Sequence, residues 1–179
     1  MIDLKSLATE LIDNHDPPFR PHILIVEDHA DTRALWAQVL RPIGAVAEAS
    51  TVREALNEIK DADILVLDWK LNGDAESILD GWIHTDPSAP VCVISGALEV
   101  LDVDRLYQRG VHTVLLKPIG PGAVVEVVRR YALRLEAQQQ IECLQSKVHR
   151  LKLWVYSLAT FALLSIGERG LALIKGWTP

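Results

Sequence analysis

The chain has 179 residues with 24 acidic and 18 basic side chains, so its formal net charge at pH 7 is -6. Hydrophobic residues make up 49% and charged residues 23%, an ordinary globular composition that excludes wholesale disorder and collagen-like or low-complexity polymers. Its two cysteines suggest neither a disulfide framework nor a metal-binding pair, and no signal-peptide pattern follows Met1. We therefore expect a cytoplasmic protein with one domain and an appendage.

The first predicted element is a short docking helix. Residues 1–13 place apolar side chains at roughly helical spacing, and a Pro-containing stretch follows them. We assign residues 1–20 to this helix and a linker.

Five apolar runs then alternate with segments of helical period. Four clear runs are residues 23–26, 64–67, 91–94 and 114–116, and a weaker strand fits at residues 45–47. Continuous, largely β-branched runs are typical of strands covered on both faces of a parallel sheet. The alternation predicts a doubly wound α/β domain, which we place at residues 21–132.

Each predicted helix presents an apolar face to the sheet. The face residues are Ala34, Leu35, Val39 and Leu40; Val52, Ala55, Leu56 and Ile59; Ile78, Leu79, Trp82 and Ile83; and Leu98, Leu101, Leu106 and Tyr107. A turn rich in Pro and Gly follows the fifth strand, and a helix then begins at Ala123 with no breaker before Gly167. Because this helix is longer than an ordinary domain helix, we expect it to leave the domain as an extension over residues 133–179.

Polar side chains close the predicted strands. Parallel strands end at one edge of a sheet, where ligands bind, so these residues should converge. They are Glu27, Asp28, Asp68, Ser95 and Lys117. Three carboxylates repel one another, and a divalent cation that prefers oxygen ligands, such as Mg²⁺, removes that cost. With a lysine and a hydroxyl added, the set predicts a phosphoryl-binding pocket in which the central Asp68 is the nucleophile.

A simpler interpretation is that Asp28, Asp68 and Ser95 only cap the helices that follow them. The adjacent carboxylates after the first strand and the Lys-Pro step after the last strand argue against it. The sequence has no Gly-rich phosphate loop, GxSxG elbow or HExxH motif, so the enzyme classes that use them lack support.

These residues resemble the receiver domain of two-component response regulators over about residues 22–131. The resemblance rests on Glu27-Asp28, Leu65-Val66-Leu67-Asp68, Ser95-Gly96-Ala97 and Lys117-Pro118, all in order and at family-like spacing. It implies a flavodoxin-like sheet of strand order 2-1-3-4-5. It also implies a phosphoacceptor rather than an enzyme, limited to self-phosphotransfer and slow autodephosphorylation, whose partner is a histidine kinase or histidine phosphotransfer protein.

The resemblance assigns a role to each site residue. It makes Asp68 the phosphoacceptor, and it makes Ser95 and Lys117 the phosphoryl contacts. The implied ligands of Mg²⁺ are Asp28, Asp68, the backbone carbonyl of Lys70 and, through water, Glu27. The peptide bond before Pro118 is expected to be cis.

Two departures from the family pattern concern the switch. Family members carry Tyr or Phe three positions before the final lysine, where this chain has Val114. The loop after Asp68 also lacks the common Pro and reads Trp69-Lys70-Leu71-Asn72-Gly73-Asp74. An unphosphorylated, receiver-like scaffold is therefore the alternative function.

The extension carries a heptad seam with alternating spacings of three and four. Its positions are Ile141, Leu144, Val148, Leu151, Val155, Leu158 and Ala162. This pattern predicts a two-stranded coiled coil and hence a homodimer through the C-terminal helix. A lone amphipathic helix folded on its own domain is the alternative.

Beyond Leu151 the helix is apolar on all sides, so protein or lipid must cover it. Residues 151–166 span about 24 Å, less than the ~30 Å hydrocarbon layer, and a longer span would enclose two charges. Two interpretations stay open: membrane association at the inner face, and soluble oligomerisation or partner docking. In the soluble case Gly167 and Gly170 bracket a turn.

The two parts of the chain differ in charge. Residues 1–132 carry a net charge of -9 and residues 133–179 a net charge of +3. Nucleic-acid phosphates are bound by clustered Lys and Arg, which the acidic part lacks, and the basic part is too apolar for such an arm. No nucleic-acid partner is expected.

Overall fold

The computed structural model describes residues 19–96 and 100–175. Its elements in chain order are β1 (His22–Val26), α1 (Ala30–Leu40), β2 (Ala45–Ala49), α2 (Val52–Glu58), a 3-10 turn (Ile59–Asp61), β3 (Ile64–Asp68), α3 (Ala75–Thr85), β4 (Val91–Ser95), α4 (Val100–Gln108), β5 (Thr113–Leu116) and α5 (Pro121–Lys175). Each of the five apolar runs lies within an observed strand, which confirms the predicted alternation. The helix predicted at residues 1–13 lies outside the described residues.

The five strands form one parallel sheet of order β2-β1-β3-β4-β5, as the resemblance implies. The register pairs Val26 in β1 with Leu67 in β3, and Asp68 in β3 with Ile94 in β4. Ser95 follows Ile94 at the end of β4. The carboxyl ends of the three central strands are therefore level at one edge of the sheet.

Side chains of the central strands alternate between two buried clusters, one on each face of the sheet. One face packs against α2, α3 and α4, and the other against α1 and the beginning of α5. The strand residues of the first face include Leu24, Val26, Leu65, Leu67 and Val93, and those of the second include Ile23, Ile25, Val66, Cys92 and Ile94. Coverage of both faces explains why these strands are continuously apolar.

The apolar spacing predicts the wrong helix face at four positions, the first of which is Ala34, an exposed residue of α1. Leu35, Leu56 and Tyr107 are 44%, 42% and 48% exposed, although each was expected to face the sheet. The buried residues of α1 are Trp36, Ala37 and Leu40, and among them the spacing predicted only Leu40. Successive helical residues are rotated by about 100°, so the large Trp36 ring turns its neighbour Leu35 toward solvent.

The last helix differs from the prediction at both ends. It begins at Pro121 rather than Ala123, in keeping with the preference for Pro in the first helical turn. It also continues through Gly167 and Gly170 to Lys175, so the chain makes no turn there; a glycine within a helix costs only about 1 kcal/mol.

Among the described residues, 19–96 and 100–136 belong to one compact unit, and 137–175 belong to a second. No helix within residues 19–96 and 100–175 combines the length and apolarity that a membrane span requires.

Candidate functional site

Side chains from three strand ends meet at the carboxyl edge of the sheet. Glu27 and Asp68 are almost fully buried, and carboxylate oxygens of Glu27, Asp28 and Asp68 lie within 4.8 Å of one another. Lys117 Nζ lies 3.1 Å from Glu27 Oε2 and 3.2 Å from Asp68 Oδ2. Four of the residues singled out in the sequence thus form one cluster, although up to 90 positions separate them.

Backbone hydrogen bonds place the remaining strand ends beside this cluster. The Lys117 N–H donates to the Ser95 carbonyl at 2.7 Å, and the Trp69 N–H donates to the Ile94 carbonyl at 2.8 Å. Ser95 is fully buried, and the Lys117-Pro118 peptide bond is cis, as expected. The parallel hydrogen-bond ladder therefore continues to the last residue of β4 and fixes where Lys117 leaves β5.

The loop between β1 and α1 is held by groups that the sequence pattern did not reveal. Arg33 Nη1 donates to the carbonyl of Glu27 at 2.7 Å and to that of Asp28 at 3.4 Å. The His29 N–H donates to Glu27 Oε1 at 3.2 Å, and the Asn72 N–H donates to Asp28 Oδ2 at 3.1 Å. Arg33 lies in the first turns of α1, from where a long side chain can reach back to the loop. No short motif marks Arg33 or Asn72.

The capping interpretation is wrong for both aspartates. The N-cap of α1 is His29, which makes no side-chain cap hydrogen bond, and the N-cap of α3 is Asp74, which accepts from the Ser77 N–H. Asp68 Oδ1 accepts instead from the Lys70 N–H at 3.2 Å. This bond brings the Lys70 main chain to the site.

The electrostatics of the cluster favour an added positive charge. Burial raises the pKa of Glu27, and the neighbouring Asp68 carboxylate raises it further, while Lys117 lowers it. Burial alone would lower the pKa of Lys117, but its hydrogen bond to Glu27 and the charge of Asp68 outweigh burial and raise it. One ammonium group balances only one of the three carboxylates. Their oxygen donors fit a hard divalent cation such as Mg²⁺.

The Lys117 ammonium also lies over an aromatic ring. Nζ is 5.5 Å from the ring centroid of Trp36, which is buried on α1. The negative face of the indole attracts a cation and stabilises it in a partly desolvated position. Trp36 was not expected at the site, because the sequence shows it only as an apolar helix residue.

The comparisons with known proteins agree on one family. The family model for the response regulator receiver domain matches residues 23–129. The signal receiver domain of a Vibrio parahaemolyticus protein described as a Luxo repressor is 26% identical, with a TM-score of 0.63 over 69% of this chain and 98% of that one. A CheY-like receiver domain protein from Methanospirillum hungatei JF-1 is 20% identical, with a TM-score of 0.61 over 67% of this chain and 99% of that one.

A Burkholderia pseudomallei response regulator, solved with a phosphorylated aspartic acid, a calcium ion and citrate, is 21% identical, with a TM-score of 0.56 over 68% of this chain and 74% of that one. The search of curated proteins gave no match. The family model covers more than half of the chain, and the strand order and solved structures agree with it. The chain therefore belongs to the response regulator receiver domain family.

Proposed function

We propose that this chain is a response regulator of a two-component phosphorelay, with a receiver domain at residues 21–132 that accepts a phosphoryl group on Asp68. The contact of Lys117 with both Glu27 and Asp68, inside a cluster of three carboxylates, carries the proposal. A fixed ammonium beside a nucleophilic carboxylate neutralises the charge on the phosphoryl oxygens during transfer. The phosphorylated aspartic acid of the Burkholderia pseudomallei relative supports it.

In the proposed reaction, a carboxylate oxygen of Asp68 attacks the phosphorus of a phosphohistidine on a histidine kinase or histidine phosphotransfer protein. The O–P bond forms as the P–N bond breaks, and the electron pair stays on the leaving imidazole nitrogen. The two oxygens of Asp68 are held separately, Oδ1 by the Lys70 N–H and Oδ2 by Lys117, each at 3.2 Å. Ser95 and Lys117 would contact the transferred phosphoryl group.

The residues that would hold Mg²⁺ are Asp28, Asp68, the Lys70 carbonyl and, through water, Glu27. All of these donors are oxygen atoms, as Mg²⁺ requires, and it would supply charge neutralisation at the phosphoryl oxygens. Backbone N–H groups already orient two of the carboxylates, Glu27 through His29 and Asp28 through Asn72. These two hydrogen bonds support the proposed ligand set, because they hold both carboxylates at the carboxyl edge of the sheet.

Intact-mass spectrometry tests this function directly. The full chain is mixed with Mg²⁺ and acetyl phosphate, and the gain of one phosphoryl group is measured against Asp68→Ala and the nearly isosteric Asp68→Asn. We expect the adduct in the parent chain and in neither variant. An adduct that persists in both variants would contradict the assignment, and no adduct with any small donor or kinase would favour the unphosphorylated scaffold.

The proposed output element is the helical extension, residues 133–179, acting by self-association. Five apolar side chains of its seam are about half exposed on one helix: Ile141, Leu144, Val148, Leu151 and Val155. Covering them in a pair of chains gains on the order of 10 kcal/mol. This matches an association cost of about 4 to 15 kcal/mol, so the seam is suited to reversible dimerisation.

A further inference from the structure

We infer that two copies of the helical extension pair in parallel and in register, an inference that rests on the proposed self-association. The seam separates residue types by heptad position. The a positions hold the β-branched Ile141, Val148 and Val155, and the d positions hold Leu144 and Leu151. In parallel dimers this distribution favours two strands.

The division between β-branched residues at the a positions and leucine at the d positions also indicates how the two helices are oriented. In a parallel pair, each a residue packs beside the same residue of the partner, and each d residue does likewise, so the a and d layers are distinct environments. In an antiparallel pair, a residues pack against d residues, and the strict division between β-branched residues and leucine would have no purpose. The exposed seam from Ile141 to Val155 therefore matches a second copy of itself in parallel.

The flanking positions make this pairing sensitive to salt. Lys147 occupies a g position and Lys152 the next e position, and a parallel pair brings each Lys147 near the partner's Lys152. The nearby acidic residue Glu142 lies at an outward b position, where its carboxylate accepts a hydrogen bond from Gln138 of the same helix. The two like-charged contacts weaken the dimer at low ionic strength, and salt should screen them.

Site-specific cross-linking tests the orientation in the full chain. Leu144→Cys and Leu151→Cys are made separately in a Cys143→Ser background, with Ser146→Cys at the outward f position as the matched control. In a parallel, in-register dimer both d-position variants form disulfide-linked dimers with oxidised glutathione, and the control does not. Cys92 is fully buried, which keeps it out of the reaction.

The outcomes separate orientation from self-association. An antiparallel dimer brings at most one residue next to its own copy, so a dimer that cross-links at only one d position, or at neither, overturns the parallel pairing. A monomer in sedimentation at all concentrations overturns the self-association itself. Neither result affects the phosphorylation of Asp68, which is read separately by mass.

A charge reversal at Lys152 gives an independent test of the contacts between the g and e positions of the two helices. Lys152→Glu should tighten the dimer roughly tenfold at low salt, because Lys147 would then face an opposite charge in both contacts. The double variant Lys147→Glu with Lys152→Glu restores like charges and should lose that gain. If Lys152→Glu leaves the dissociation constant unchanged or raises it, these two positions do not meet, and a different helix with acidic flanks becomes the better partner.

Discussion

Lys117 Nζ lies 3.2 Å from Asp68 Oδ2 and so joins the end of β5 to the end of β3 across the intervening β4. The same ammonium contacts Glu27 from β1, so one side chain reaches both carboxylates that are buried in the cluster. The ammonium reduces the repulsion between these two carboxylates but does not cancel it. A divalent cation would reduce the repulsion further.

Replacing Lys117 should therefore slow phosphoryl transfer without preventing folding. In Lys117→Met no fixed ammonium neutralises the negative charge on the phosphoryl oxygens in the transition state. We therefore expect the rate of adduct formation to fall by about 10² to 10³. The rate is measured by intact mass with acetyl phosphate. Lys117→Arg, which keeps the charge, serves as the comparison, and an unchanged rate in Lys117→Met would show that the ammonium does not assist transfer.

Mg²⁺ should stabilise the folded chain by relieving carboxylate repulsion. At a concentration ten times the dissociation constant, we expect about 1.4 kcal/mol of added unfolding free energy. In Asp28→Asn this gain should shrink, while the metal-free protein becomes more stable because one negative charge is gone. Urea unfolding with Mg²⁺ and with EDTA measures both effects; an equal gain in the variant would place the cation elsewhere.

Arg33 should act as a positioning residue for the two acidic side chains of the first loop. Its guanidinium donates to the Glu27 and Asp28 carbonyls, so Arg33→Ala should cost about 1 to 2 kcal/mol of stability. A purely structural role for Arg33 would change stability only and would leave Mg²⁺ affinity unchanged. We also expect weaker Mg²⁺ binding, measured by calorimetry under folded conditions, and unchanged affinity would refute the positioning role.

His112 should make stability depend on pH near neutrality. Burial lowers its pKa below the usual 6.5, and the Arg134 guanidinium lowers it further. As the pH falls through 6.5, the unfolded chain takes up a proton that the folded chain does not, so stability is complete above this pH and decreases below it. Neutral His112 Nδ1 accepts from the Val91 N–H at 3.5 Å, which is consistent with this direction.

The control for this pH effect is His112→Gln, which keeps a hydrogen-bond acceptor but does not titrate. Urea midpoints at about pH 7.5 and about pH 5.5 should differ less in the variant than in the parent chain. Equal differences would show that other groups cause the pH dependence.

The sequence predicted the strands and the cluster because both follow from strong local signals. Continuous apolar runs mark buried parallel strands, and their polar last residues must share an edge, which is why Asp68 and Lys117 could be placed together. Arg33 escaped prediction because its role is a contact with main-chain carbonyls, which any long donor could make. Leu35 was placed on the wrong face because spacing alone does not reveal that the Trp36 ring fills the core.

The helical extension was predictable in part. The uninterrupted pattern after Pro121 indicated one long helix, and the five seam residues from Ile141 to Val155 are about half exposed on it. The sequence left open whether the chain turns at Gly167, because a single glycine signals a turn only weakly and helical neighbours on both sides outweigh its cost.

Peptide mapping of the phosphorylated chain tests the central claim most directly. After reaction with Mg²⁺ and acetyl phosphate, the acyl phosphate is reduced with borohydride and located by tandem mass spectrometry. The label is predicted on Asp68 alone and should disappear when EDTA replaces Mg²⁺. A label on Glu27 or Asp28, or a chain that stays unlabelled while a related receiver is labelled in the same mixture, would contradict the account.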